Sequence, residues 1–245
     1  MTDLIFIHGA GDSAAVWGLQ VKHFSSSPRH RLYAADLPGH GERSAEPGFD
    51  RHEQNAEEVC RGMETRGMRA GVIVGASMGG AVALTLALQN PEHVTALVLV
   101  ATGAKMRMHP TFLEEAKKRA DAFGNQTPEA THIVPAEQMI SAATPPPVVT
   151  WLKEHIGHAS AQATYADFLA NDRFDVMTRL GEITAPTLVI GGSDDRMTPA
   201  KFSQFLAEKI PHAQLEILPH SGHYPMVEQA DAFNARLEGF LTTVG

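Results

Sequence analysis

A single cysteine, Cys60, leaves no partner for a disulfide within the chain, so a packed core has to hold the protein together. No stretch reaches the roughly 18 to 20 apolar residues needed to cross a bilayer. Met1-Thr2-Asp3 leads into a short apolar run without the basic, extended character of a secretory leader, so a cytoplasmic protein is expected. Basic runs are missing as well: 20 lysines and arginines face 28 acidic residues, for a net charge of −8. With no zinc-finger or RNP pattern either, this argues against a nucleic-acid surface and points to a small-molecule partner. No internal repeat is visible, and nothing in the sequence sets the oligomeric state. What is present is 245 residues that are 43% hydrophobic, enough for one globular domain with a sizeable core.

The most informative stretch is Gly75-Ala76-Ser77-Met78-Gly79-Gly80. It lies between the β-branched run Val72-Ile73-Val74 and the helix-prone segment Ala81 to Leu88. Strand, sharp turn and helix are what a G-x-S-x-G nucleophile elbow requires. A serine forced into so tight a turn leaves no room for β-carbons two residues before and after it. Ser77 then stands at the carboxyl edge of a sheet, beside the first N–H groups of a helix that starts near Met78.

Around this point the chain alternates. Leu4 to Ile7 reads as a strand buried on both faces and ends at His8-Gly9-Ala10-Gly11; Trp17, Val21 and Phe24 then mark a helix. Arg31 to Ala35 is a strand, followed by the turn-rich Asp36 to Ser44. Ala56, Val59, Cys60 and Met63 recur at helical spacing, which predicts a structural Cys60 on a buried face. Val94 to Ala101 is a further strand. The order predicts a parallel sheet with helices on both faces and ligands beyond the strands' carboxyl ends.

From Gly103 to about Ile183 the alternation stops. Short helices are predicted over Phe112 to Phe123, Pro135 to Ala143, Val148 to His155, Ala161 to Leu169 and Phe174 to Leu180. This segment is too apolar for a linker and is expected to form a cap. Met106, Phe112, Trp151 and Phe168 are candidates to line a substrate pocket beneath it. Strand and helix resume at Pro186 to Ile190, around Phe202 to Leu206 and at Ala213 to Leu218. A final helix carries the stripe Ala230, Phe233, Leu237 and Phe240.

A serine hydroxyl needs a base, and that base needs a carboxylate to hold its second nitrogen. The two late strands end in suitable groups, Asp194-Asp195 and His220-Ser221-Gly222-His223. An oxyanion would require two backbone N–H donors, one following the nucleophile and one from an earlier strand-end loop; Met78 and Ala10 occupy those places. His8 is expected to brace its loop.

His-Gly-Ala-Gly, Asp-Leu-Pro-Gly-His-Gly-x-x-Ser, Gly-Ala-Ser-Met-Gly-Gly, Ala-Pro-Thr-Leu-Val-Ile-Gly-Gly-x-Asp-Asp and Ser-Gly-His-x-Pro occur in this order. In these motifs the chain resembles the α/β-hydrolase superfamily along nearly its whole length. The resemblance implies Asp195, four residues before Pro199, as the acid, and His223, between Gly222 and Pro225, as the base. The implied fold is α/β, with about six mainly parallel strands and a helical cap at 104–183 inserted in a core of 1–103 and 184–245. The family's opening antiparallel hairpin is expected to be absent, as in compact plant esterases and hydroxynitrile lyases, whereas Met78 and the segment joining cap to strand resemble bacterial carboxylesterases and ring-cleavage-product hydrolases. The implied activity is cleavage of a small carboxylic ester or lactone through an acyl-enzyme, without metal or organic cofactor. Carbon–carbon hydrolases, cofactor-free perhydrolases or haloperoxidases, and ligand sensors share the same frame.

Overall fold

The apolar runs read from the sequence become six strands: β1 (Thr2–Ile7), β2 (His30–Ala35), β3 (Gly71–Ala76), β4 (Val94–Val100), β5 (Thr187–Gly192) and β6 (Gln214–Leu218). The structure is a computed structural model that describes residues 1–127 and 133–244. The strands form one sheet in the order β2-β1-β3-β4-β5-β6, with every neighbouring pair parallel. The helices are α1 (Gly18–Ser25), α2 (His52–Glu64), α3 (Met78–Gln89), α4 (Pro110–Phe123), α5 (Ala136–Met139), α6 (Pro146–His155), α7 (Ala161–Arg173), α8 (Ala200–Lys209), α9 (Pro225–Glu228) and α10 (Ala230–Val244).

Successive side chains of a strand point to opposite faces, so the sheet has a core on each side. Ile5, Ile7, Ile73, Leu97, Leu99 and Val189 join α2, α3 and α8 on one face. Leu4, Phe6, Val74, Val98 and Ile190 pack against α1 and α10 on the other, where Trp17 meets both Phe6 and Phe233. Helix α3 is buried along nearly its whole length, which explains its lack of a polar face. Cys60 packs half-buried against the first core, and burial pushes its thiol up to about 11.

The order in which strands are added reverses between β1 and β3: β2 lies outside β1, while β3 to β6 are added on the other side. Loops leaving β1 and β3 therefore part above the sheet, where open α/β sheets place their crevice.

Helices α4 to α7 lie between β4 and β5 and are tied to the strand-end loops by backbone hydrogen bonds. Ser160 N–H donates to the Gly39 carbonyl at 2.8 Å, Gly41 N–H to that of His158 at 2.7 Å, and His223 N–H to that of Met139 at 2.7 Å. Two helices expected here differ. The segment Phe174 to Leu180 is not helical, because its backbone pairs across to the chain leaving β4. Asp175 bridges Lys105, Val176 N–H donates to the Ala104 carbonyl, and Met106 N–H donates to that of Phe174; only Leu180–Glu182 makes a 3-10 turn. Helix α5 stops at Met139 rather than Ala143, since Ser141 N–H donates to Glu228 Oε2 at 2.8 Å instead of back along the helix.

Candidate active site

Ser77 joins β3 to α3 with φ 52° and ψ −117°, a backbone state that costs a non-glycine residue about 1 to 3 kcal/mol. It is held in place by Ser77 N–H donating to the Val100 carbonyl at 2.9 Å and by Thr102 Oγ1 donating to the Ser77 carbonyl at 2.7 Å. The flanking glycines are there for space. A Cβ on Gly75 would lie 2.1 Å from the Gly79 carbonyl oxygen, and one on Gly79 would lie 2.2 Å from that of Ile7.

The loops after β5 and β6 bring Asp195 and His223 together, with His223 Nδ1 2.9 Å from Asp195 Oδ2. Both are buried, at 5% and 8% exposure. Asp195 Oδ1 accepts from the Met197 and Thr198 N–H groups at 2.8 and 2.9 Å, and Oδ2 also accepts from the Thr198 hydroxyl at 2.7 Å. Burial pushes the Asp195 carboxyl up, but the nearby His223 charge and these donors outweigh it and hold the group below its ordinary range. For His223 burial acts downward, and the charge and hydrogen bond of Asp195 leave the imidazole above its usual 6.5.

The neighbouring alternatives point elsewhere. Asp194 is exposed and accepts from the Ser141 and Ser193 hydroxyls. His220 is exposed on the turn after β6, with its N–H on Ser193 Oγ.

The loop after β1 closes as a turn, Asp12 N–H to the Gly9 carbonyl at 3.2 Å, with Gly11 at φ 74°, as a type II turn requires at its third residue. His8 braces this loop. Its Nδ1 meets the Gly9 carbonyl at 2.8 Å and its Nε2 accepts from Leu37 N–H at 3.2 Å, so the ring is neutral with its proton on Nδ1. Burial, aided by the charge of His40, pushes its pKa down to about 4. Neither Ala10 N–H nor Met78 N–H has a hydrogen-bond acceptor among the described residues.

Ser77, His223, Ala10 and Gly9 all line one cavity of about 810 Å³ beyond the carboxyl ends of the strands, within the range of small-molecule sites. Met106, Phe112 and Phe168 line it too. Trp151 does not: its ring stacks on His155 at 4.1 Å and lies over Gly18, because α6 turns that side towards α1. The sequence reading missed other wall residues. Asp12 and Tyr224 join across the cavity wall, Tyr224 hydroxyl to Asp12 Oδ2 at 3.3 Å. Lys105, Arg107, Arg196 and Lys201 also line the cavity, and Asp12 is its one acidic lining residue among those described. No pattern in the sequence marks these groups, which converge from separate loops. Among the described residues no cluster of three or more His, Cys, Asp or Glu side chains could hold a metal ion.

A parallel sheet with a strained serine between strand and helix, and a His–Asp pair on later strand ends, defines the class of α/β hydrolases. The chain belongs to the alpha/beta hydrolase family, whose model matches residues 4–236. It is 30% identical over 239 residues to the pimeloyl-[acyl-carrier protein] methyl ester esterase of Nitrosomonas europaea, covering 94% of this chain and 92% of that one. Its identity to the 2-hydroxy-6-oxo-6-phenylhexa-2,4-dienoate hydrolase of Burkholderia cepacia is 29% over 259 residues, covering 97% and 87%. A thermophilic esterase from Thermogutta terrifontis shares the fold, with a TM-score of 0.86 at 23% identity over 100% of this chain and 90% of that chain. Among the described residues no helix is long and apolar enough to cross a membrane.

Proposed function

We propose that the chain is a serine hydrolase that cleaves small carboxylic esters or lactones through an acyl-enzyme. The observation that carries this reading is the convergence on one cavity of a strained Ser77 and a His223 whose Nδ1 is held by buried Asp195. His223 Nε2 takes the Ser77 proton as Oγ attacks the carbonyl carbon. The N–H groups of Ala10 and Met78 stabilise the oxyanion, and Asp195 orients and supports the imidazolium. His223 then returns the proton to the leaving oxygen, and a water that it activates hydrolyses the acyl-enzyme. Residues 104–183 act as the cap over a core of 1–103 and 184–245, with Met106, Phe112 and Phe168 facing the acyl group.

The cavity's charge supports an ester that carries an anionic group. Lys105 is paired with Asp175, but Arg107, Arg196 and Lys201 have no ion pair among the described residues, in a chain of net charge −8. The methyl ester esterase and dienoate hydrolase relatives are in keeping with such a substrate. The second relative favours a second reading, carbon–carbon cleavage of a dienoate by the same residues.

The test is steady-state and burst kinetics on p-nitrophenyl esters from acetate to decanoate, with wild type beside Ser77→Ala. Half-esters of dicarboxylic acids are then compared with neutral esters of equal length. Saturable turnover lost in the variant and faster on the half-esters is expected. Dienoate cleavage without ester turnover would transfer the site to the second reading.

A further inference from the structure

A second buried His–Asp pair joins the inserted helices to the loop after β1. Asp167 on α7 accepts from Gly11 N–H at 2.9 Å and meets His40 Nε2 at 2.9 Å, both through Oδ2. Both side chains are essentially sealed, each residue being 1% exposed. The other nitrogen of His40, Nδ1, lies 3.0 Å from the Pro38 carbonyl oxygen. A carbonyl oxygen and a carboxylate both accept. Each ring nitrogen therefore carries a hydrogen, making His40 an imidazolium beside an Asp167 carboxylate. Burial opposes this charge, and the field and hydrogen bond of Asp167 outweigh it, so His40 titrates above its ordinary value. Its neighbour His8, with ring centroids 4.6 Å apart, stays neutral.

What this pair holds is the peptide geometry at Ala10. The Gly9 carbonyl is drawn to one side by His8 Nδ1 and Asp12 N–H. In a trans peptide the N–H points opposite to the carbonyl, so Ala10 N–H is turned away from those partners. The next peptide N–H, that of Gly11, is anchored on Asp167. Both peptides flanking the Ala10 Cα are thus fixed, one from within the loop and one from the insertion.

We infer that Asp167 is a positioning residue for the reaction: from the helical insertion it holds the Gly11 amide, and with it the Ala10 oxyanion donor, while His40 serves as its buried counter-charge. The inference rests on the role proposed for Ala10. Turnover then needs α7 seated on the loop, so the insertion is a working part of the oxyanion site as well as a cover. Oxyanion donors act more strongly on the transition state than on the ground-state carbonyl. Loosening the loop should therefore lower kcat more than it changes KM.

The experiment compares wild type, Asp167→Ala and Asp167→Asn on one p-nitrophenyl ester. It adds the affinity of a boronic acid that forms a tetrahedral adduct on serine, and hydrogen exchange of the peptide spanning residues 8–16. Asp167→Ala is expected to lose about 10- to 100-fold in kcat, with KM within about threefold. Boronate affinity should fall by a similar factor and exchange of the loop should quicken. Asp167→Asn keeps an oxygen for Gly11 N–H, so it should retain kcat within about fivefold and exchange as wild type does. Wild-type kcat and exchange in Asp167→Ala, a rise in KM alone, or equal losses in both variants would overturn the inference. If Asp167→Ala does not fold, a roughly 100-fold loss in Asp167→Asn overturns it by itself. Turnover that survives Ser77→Ala, or absent in wild type, would sink the serine reading instead. Loop exchange then decides: unchanged exchange in Asp167→Ala removes the clamp, and faster exchange keeps it.

Discussion

The pairs His223–Asp195 and His40–Asp167 share their local chemistry, each with an imidazole nitrogen 2.9 Å from an aspartate Oδ2 and each buried. They differ in the second ring nitrogen. Asp195 holds Nδ1 of His223, and Nε2 has no hydrogen-bond partner among the described residues while the ring lines the cavity. In His40, Asp167 takes Nε2 and the Pro38 carbonyl takes Nδ1. One ring can exchange a proton with a bound molecule; the other has both protons committed. In the roles proposed above, the same two residue types serve as a base in one place and a clamp in the other, depending on what faces the remaining nitrogen.

Breaking the first pair should cost chemistry. His223→Ala is expected to lower kcat by about 10⁴-fold or more with the fold intact, as loss of a triad base does elsewhere. Steady-state kinetics beside a circular dichroism spectrum checks both halves, and a loss below tenfold would remove His223 as base. Asp195→Asn should cost about 10³- to 10⁴-fold, because the imidazole loses the partner that sets its tautomer. Asp194→Asn, its exposed neighbour, should stay within about twofold in the same assay, a surface change away from the cavity.

Breaking the second pair should cost stability. His40→Ala removes the buried imidazole partner of Asp167, a loss of about 3 to 5 kcal/mol. Denaturant unfolding of His40→Ala against wild type measures it, and a difference under about 1 kcal/mol, the median for a surface pair, would show that the pair contributes no more than one.

The smallest effects are in pH dependence and sharpen the contrast between charged and neutral rings. As a base, His223 must be deprotonated, so kcat/KM should rise with pH through a value above 6.5, the direction in which Asp195 moves it against burial. Stability contributed by the raised His223 and His40 is full below the unfolded pKa near 6.5 and lost as pH rises through their folded values. His8 and His52 carry the opposite sign. Burial lowers both to about 4 from 6.5, so the unfolded chain binds protons that the fold refuses, and stability falls as pH drops from about 6.5 towards about 4. Thermal unfolding midpoints from pH 4 to 9 read all four, and a flat line below pH 7 would contradict neutral His8 and His52.

Six strands, the flanking helices and the elbow were legible because their causes are local. A β-branched run between turn residues makes a buried strand, and Gly75 and Gly79 are required by contacts within a few residues of Ser77 and by the adjoining β1 backbone. Asp195 and His223 were proposed from family motifs; they pair with each other and are buried, whereas Asp194 and His220 are exposed. The insertion was read less well. Helical spacing over Phe174 to Leu180 gave way to pairing with residues 104–106, and Trp151 turned towards α1 instead of the cavity, because a short amphipathic segment does not encode which of two apolar surfaces it will meet.

By itself, then, the sequence determined the order of elements, the family and the serine turn, all of which depend on neighbours along the chain. Tertiary structure decided which polar groups meet: Asp167 with Gly11 and His40, Asp12 with Tyr224, and four cationic side chains around one cavity. These contacts join separate loops and elements, and they form only once the sheet and insertion have packed together.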